Sequence, residues 1–156
     1  PDFVAAGWRL RIPGRARAAA PGWRYIAERP AGGVRILFRE GARLPVRARM
    51  ADCFERAARR AGVRAITISS TTNGVHTKTS RHYLGLGVDI CEVDGVVVRD
   101  LGPDPRIRRL QEAFRREGGL LENFGPARIE REHERYRPYG YRALRKQHMN
   151  HIHISR

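Results

Sequence analysis

Apolar residues recur at helical spacing from Pro45 to Ala61, where Val46, Met50, Cys53, Phe54, Ala57 and Ala61 share one stripe and Gly62 supplies a stop. That stretch predicts a helix. The β-branched run VRAITIS (63–69) predicts a strand, and the polar stretch SSTTNGVHTKTSRH after it, which has no period, predicts a loop. Two further strands, VDICEV and VVVRD, flank Asp94-Gly95, a dipeptide that favours the type I′ turn of a hairpin. A second helix is expected from about Pro105 to Glu117. Asp104 can cap it, Pro105 suits its first position, Ile107, Leu110 and Phe114 form one face, and Gly118 ends it.

Elsewhere the pattern is weaker. WRYIAER (23–29) and VRILFRE (34–40) alternate partly and are separated by Pro30, Ala31, Gly32 and Gly33, which predicts a hairpin. Residues 1–21, with Trp8, Leu10 and Ile12 alternating, read as an arm or a short edge strand. LLENFGP holds a short strand, the basic, Tyr-rich segment from Arg128 to Lys146 reads as a long loop or lid, and HMNHIHIS closes the chain as a strand. Two main helices mixed with antiparallel hairpins place the chain in the α+β class, with a central antiparallel sheet.

At 156 residues with 41% apolar content the chain is about one domain with enough apolar residues for a real core. The net charge of +15 changes the picture more: of 31 basic residues only Lys78 and Lys146 are not arginine. The positive field is therefore permanent, and suits an anionic partner such as nucleic acid, an acidic membrane surface or an anionic cell-wall polymer. Cys53 and Cys91 lie far apart without CxxC spacing, so neither a disulfide framework nor a thiolate zinc site is indicated. No run approaches the ~20 apolar residues that span a bilayer, and the opening PDFVAAGWRLRIPG lacks a signal-peptide h-region.

Five of the six histidines fall in two short segments, His76 and His82 before the Asp89 strand, and His148, His151 and His153 at the C-terminus. Alternation along a strand projects His151 and His153 the same way, and the glycine-bearing YLGLGV lets His82 and Asp89 approach one point. His82, Asp89 and His153 then offer two nitrogens and a carboxylate to a metal. Three protein ligands without cysteine are the pattern of catalytic zinc, which leaves a fourth position for water. His151 is the first candidate for the base that serves such a water. His148 can orient the water, donate to an oxyanion or share the proton work. The bland readings are a surface ion pair for His82 with Asp89, and solvated alternating histidines at 151 and 153. His133 lies among charged neighbours and reads as part of a solvated face; Tyr136, Tyr139 and Tyr141 with Arg135, Arg137 and Arg142 can stack sugars or bases, or pack on the core. Asp94 and Glu92 are explained by the turn and by strand alternation without a metal.

Ser80-Arg81-His82-Tyr83-Leu84-Gly85-Leu86-Gly87-Val88-Asp89 resembles the S-x-H-x-x-G-x-A-x-D motif of D-alanyl-D-alanine carboxypeptidases and murein endopeptidases, zinc enzymes of the Hedgehog/DD-peptidase fold that include phage endolysins. His148-Met149-Asn150-His151-Ile152-His153 is similar to their terminal H-x-x-H-x-H. The resemblance covers 45–156 and leaves residues 1–44 as an N-terminal arm with a possible hairpin. It implies one zinc ion on His82, Asp89 and His153, catalysis by His151, and Ser80 supporting the first ligand. Gly87 stands where relatives carry Ala, a change expected to matter little. Relatives also place an arginine after the strand that precedes the motif; here Lys78, Arg64 or His76 would substitute as the substrate contact.

The implied activity is hydrolysis of a peptide bond in peptidoglycan stem peptides, as a carboxypeptidase or an endopeptidase. Its implied place is the cell wall, periplasmic or extracellular, or a phage lytic protein. Alternatives of other classes are a basic nucleic-acid-binding protein and a zinc-binding family member that has lost catalysis and serves as a binding module.

Overall fold

A computed structural model describes residues 20–76, 79–131 and 138–156, without the side chains of 138–141. The expected hairpin of 23–29 with 34–40 does not form. Trp23–Arg24 (β1) instead pairs antiparallel with Val46–Arg47 (β3) in a small ribbon. Arg35–Phe38 (β2) runs parallel to Ala65–Ser70 (β4). A parallel pair needs a crossover, and Ala48–Arg60 (α1) supplies it. Gly32 and Gly33, at φ 106° and 83°, do make a turn. Burial decides where the chain goes after it: Ile26, Val34 and Ile36 sink into the core shared with α1, which a free-standing hairpin cannot offer.

α1 buries Met50, Cys53, Phe54 and Ala57 as its spacing predicts, with Ala51 and Ala58 beside them, and Arg59 and Arg60 complement the dipole at its last turn. It starts three residues later than expected, because Val46 and Arg47 are held by β1. Pro105–Arg116 (α3) is capped as its sequence predicts, the Asp104 carboxylate accepting from the Arg106 N–H at 2.8 Å. Phe54 of α1 and Phe114 of α3 meet at 5.4 Å between ring centroids and join the two helices.

Gly87–Val93 (β5) lies at the heart of a seven-stranded sheet. It turns at Asp94 and Gly95, whose φ values of 54° and 81° are those of a type I′ turn, into Val96–Val97 (β6). The expected strand over 96–100 ends there. Val98–Leu101 (α2) is a single helical turn that buries Val98 in the core, and this burial overrides the β propensity of the valine run. Glu122–Phe124 (β7), Ile129–Arg131 (β8) and Ile152–Ser155 (β9) complete the order β2-β4-β5-β9-β7-β8, with β6 beside β5. All pairs except β2 with β4 are antiparallel. The expected loop over 128–146 is corrected too: its start is β8, and Pro138–Gln147 is a helix (α4), with proline at the end of a helix where it is tolerated. His133, Tyr136, Arg135 and Arg137 lie outside the described residues, as do residues 1–19.

The fold is thus α+β with a mostly antiparallel sheet and four helices among the described residues, of which α1 and α3 are the longest. Ile66 and Ile68 of β4, Val88 and Ile90 of β5, and Ile152 and Ile154 of β9 belong to one core with α1 and α3. Alternation sends Asp89 and His153 to the opposite face. None of the described helices is long and apolar enough to cross a membrane.

Candidate metal centre

Sheet register does most of the assembly. Asp89 of β5 lies directly opposite His153 of β9, and β7 adds Phe124 opposite His153 and Glu122 opposite Ser155. Directly opposed residues share a face, so their side chains meet without any loop having to find them. His82 arrives from the turn between β4 and β5. That turn is closed by backbone bonds from Gly85 N–H to the His82 carbonyl and from Leu86 N–H to the Arg81 carbonyl, both 2.9 Å. Gly85 adopts φ 68°, a left-handed conformation that favours glycine.

Gly87 has a different role. A Cβ there would stand 3.0 Å from the His82 nitrogen and 3.1 Å from its ring carbon Cδ2, so the ring lies against bare backbone. An alanine at this position, expected to matter little, would press its methyl against His82.

His153 Nδ1 lies 2.7 Å from Asp89 Oδ1, and His82 Nε2 lies 3.3 Å from both of these atoms. Each imidazole is committed at its other nitrogen. His82 Nδ1 donates to the Thr71 carbonyl at 2.5 Å, and His153 Nε2 donates to Glu122 Oε2 at 3.1 Å. A carbonyl and a carboxylate only accept, so each outer nitrogen carries a proton; in the metal-free chain His153 Nδ1 carries one as well and donates it to Asp89, and loss of that proton exposes the lone pair a metal would take. Three potential ligand atoms converge in a largely buried spot, where the positive charge is that of protonated His153 in the metal-free chain and a metal ion can take its place.

The group can hold a metal ion. A tetrahedral ion with bonds of about 2.0–2.2 Å has ligand-to-ligand edges of roughly 3.3–3.5 Å. Two edges here match, and the third closes to 2.7 Å along the hydrogen bond that a proton makes in the ion's place. Without an ion, burial opposes charge on His153, but hydrogen bonds to Asp89 and Glu122 prevail and push its pKa up to about 9. Burial likewise opposes the Asp89 carboxylate, and the bond from protonated His153, with the His82 ring beside it, overcomes it and holds that group well below the usual range. Glu122, opposed by burial and aided by His153, Ser155 and Arg131, is lowered to about 2.

His148 and His151 line the same cavity of about 610 Å³. His148 follows α4 and gives its Nδ1 proton to the Leu144 carbonyl at 2.7 Å, while His151 Nδ1 bonds Asn150 Oδ1 at 2.7 Å. Both leave Nε2 as the nitrogen with a lone pair. Burial is the main cause that lowers both pKa values, so both rings are neutral at neutral pH. His151 stands one residue before β9, not within it as its alternation with His153 suggested, yet both reach the cavity.

Ser80 lines the cavity and its Oγ accepts from the His82 N–H at 3.3 Å. His76 stacks flat on the His82 ring, 4.2 Å between centroids, and is itself held by the Tyr83 hydroxyl, which accepts from its N–H at 2.8 Å. Lys78 lies outside the described residues. Arg64 is not near the site: its N–H bonds Asp94 at the far end of β4, about 20 Å along the strand from Ser70, which pairs with Asp89.

Residue-type reasoning missed Glu122, Thr71, Phe124, Arg81 and Arg131. Thr71 acts through its carbonyl, which no side-chain pattern reveals. Glu122 binds His153, Ser155 and Arg131 at once. Phe124 packs edge-on to His148 at 5.0 Å, with the Arg131 guanidinium 5.6 Å from its ring. Alternation along LLENFGP does put Glu122 and Phe124 on one face; that this face meets His153 is a matter of register. Among the described residues, Arg81 and Arg131 are the guanidinium groups that line the cavity. Comparison of the chain with protein-family models, with curated proteins and with solved structures finds no match in any of the three.

Proposed function

We propose that this chain is a zinc-dependent peptidase of the Hedgehog/DD-peptidase type that hydrolyses a peptide bond in peptidoglycan stem peptides. The observation that carries the reading is the convergence of His82 Nε2, Asp89 Oδ1 and His153 Nδ1, each histidine held at its outer nitrogen by an acceptor so that the inner nitrogen is the one a metal would take. Zinc suits two imidazoles and a carboxylate, and when bound it supplies a Lewis acid that polarises a carbonyl and acidifies water.

The remaining work belongs to the protein's own side chains. His151, neutral and with Nε2 available, takes a proton from the attacking water and returns it to the leaving amine. His148, beside it at 4.8 Å between ring centroids, steadies the water or shares that proton. Glu122 and the Thr71 carbonyl keep the ligand rings in orientation, as outer partners of metal-bound histidines do. Arg81 and Arg131 fill the role for which the stretch before the motif offers no arginine: they hold an anionic group of the substrate at the cavity wall. The high positive charge draws such a substrate, and the anionic wall that carries it, towards the protein.

The test is incubation of the zinc-loaded chain with purified muropeptides, followed by mass analysis. Loss of one alanine mass identifies a carboxypeptidase, and a split stem or cross-bridge an endopeptidase. Unchanged muropeptides in the presence of stoichiometric zinc contradict the peptidase reading and favour a zinc-holding binding module.

A further inference from the structure

We propose that Trp23 is a positioning residue of the metal centre, its indole seating the turn that presents His82, so that the β1 strand Trp23–Arg24 belongs to the site's machinery. The inference rests on reading His82, Asp89 and His153 as a metal centre.

The turn from Arg81 to Gly87 carries one ligand and contains two glycines, so its shape depends on what surrounds it. Two tethers come from the β1–β3 ribbon. The Arg47 N–H of β3 donates to the Gly85 carbonyl at 2.9 Å. The six-membered ring of Trp23 fills the place a side chain at Gly85 would take: a Cβ there would fall 2.2 Å from Cζ3 and 2.6 Å from Cη2. Trp23 is fixed in turn, because it pairs with Arg47 across the ribbon and the Arg47 guanidinium sits 4.5 Å from its ring centroid. Gly22 anchors the ribbon to α1 through a 2.9 Å bond from the Ala48 N–H.

These contacts form a chain from the ribbon to the ligand. Gly85 is bonded to the His82 carbonyl, and the His82 ring is pinned at Nδ1 by Thr71. A turn released from Trp23 retains the Thr71 bond but gains freedom on the other side of His82. The expected consequence is a blurred position of Nε2 relative to Asp89 and His153, and metal affinity is sensitive to that placement.

Trp23→Phe keeps a ring on β1 but withdraws the outer part of the indole from Gly85. Zinc affinity measured by chelator competition should weaken about tenfold, the size of effect typical for a residue that orients a metal ligand. The visible absorption of the cobalt-loaded chain should change, and amide hydrogen exchange at Gly85 and Leu86 should quicken in the metal-free chain. Trp23→Ala should exaggerate each effect; where it does not fold, Trp23→Phe decides alone. Unchanged zinc affinity and an unchanged cobalt spectrum in Trp23→Phe overturn the proposal whatever happens to the melting temperature, since a merely structural role moves stability alone. A wild-type chain that binds neither ion overturns the metal centre and this inference with it, a failure that the wild-type control separates from the first.

Discussion

At the residue scale the site is a set of hydrogen bonds that decide which atoms face inward. Glu122 illustrates it: one carboxylate accepts from His153, Ser155 and Arg131, linking a ligand to the cavity wall. Glu122→Gln should therefore weaken zinc binding by about 10- to 100-fold with little change in fold, measured by chelator competition and circular dichroism. Gly87→Ala is a subtler probe. The added methyl meets the His82 nitrogen and ring, which Thr71 and the stacked His76 prevent from retreating. A several-fold loss of zinc affinity is expected in calorimetric titration, and unaltered affinity would show that the ring can give way. The grouping of His82, Asp89 and His153 was legible in the sequence because their chemistry is in their side-chain type. Thr71 was not, since every residue carries a backbone carbonyl and no side-chain type marks this one.

Elements place these residues, and one buried amide holds an element in position. Gln111 of α3 donates to Asn123 of β7 at 3.0 Å and to the Arg128 carbonyl at 3.0 Å, and its Oε1 accepts from the N–H groups of Ala127 and Arg128 at 3.1 Å. The β7–β8 hairpin that carries Glu122, Phe124 and Arg131 is thereby clamped to the helix. Gln111→Leu strands several of these groups in a buried site and should cost about 1–3 kcal/mol in denaturant unfolding. The same element scale explains what pattern reading achieved. α1, α3 and the Asp94-Gly95 turn were legible because their signals are local: a stripe, a cap, a pair of turn residues. The pairing of β2 with β4 was not, because Gly32 and Gly33 announce a turn without saying which strand the chain will meet next. Glu122 escaped notice for a related reason, as its partners come from β8 and β9, and sequence spacing does not encode that register.

For the whole molecule, a metal ion held by the native chain alone would couple binding to folding. An ion that binds only the native chain should stabilise it by about 2.7 kcal/mol at a free concentration of 100 Kd, so zinc should raise the melting temperature and a chelator reverse the gain. Above neutrality, His153 contributes to the pH dependence of the metal-free chain. Its raised pKa means that the protonated ring clamping Asp89 and Glu122 contributes fully below about 6.5, its unfolded value, and that this contribution is lost as pH rises through about 9. The chelator-treated protein should lose stability across that window. The zinc-loaded protein should keep it, because there the ion replaces the proton; identical profiles would contradict the shared position.

The central claim is that His82, Asp89 and His153 hold one metal ion, and elemental analysis of the gently purified chain beside its His153→Ala variant tests it most directly. One zinc per wild-type chain and essentially none in a folded His153→Ala variant is the predicted result; a wild-type chain without metal, or a variant that retains it, would contradict the account.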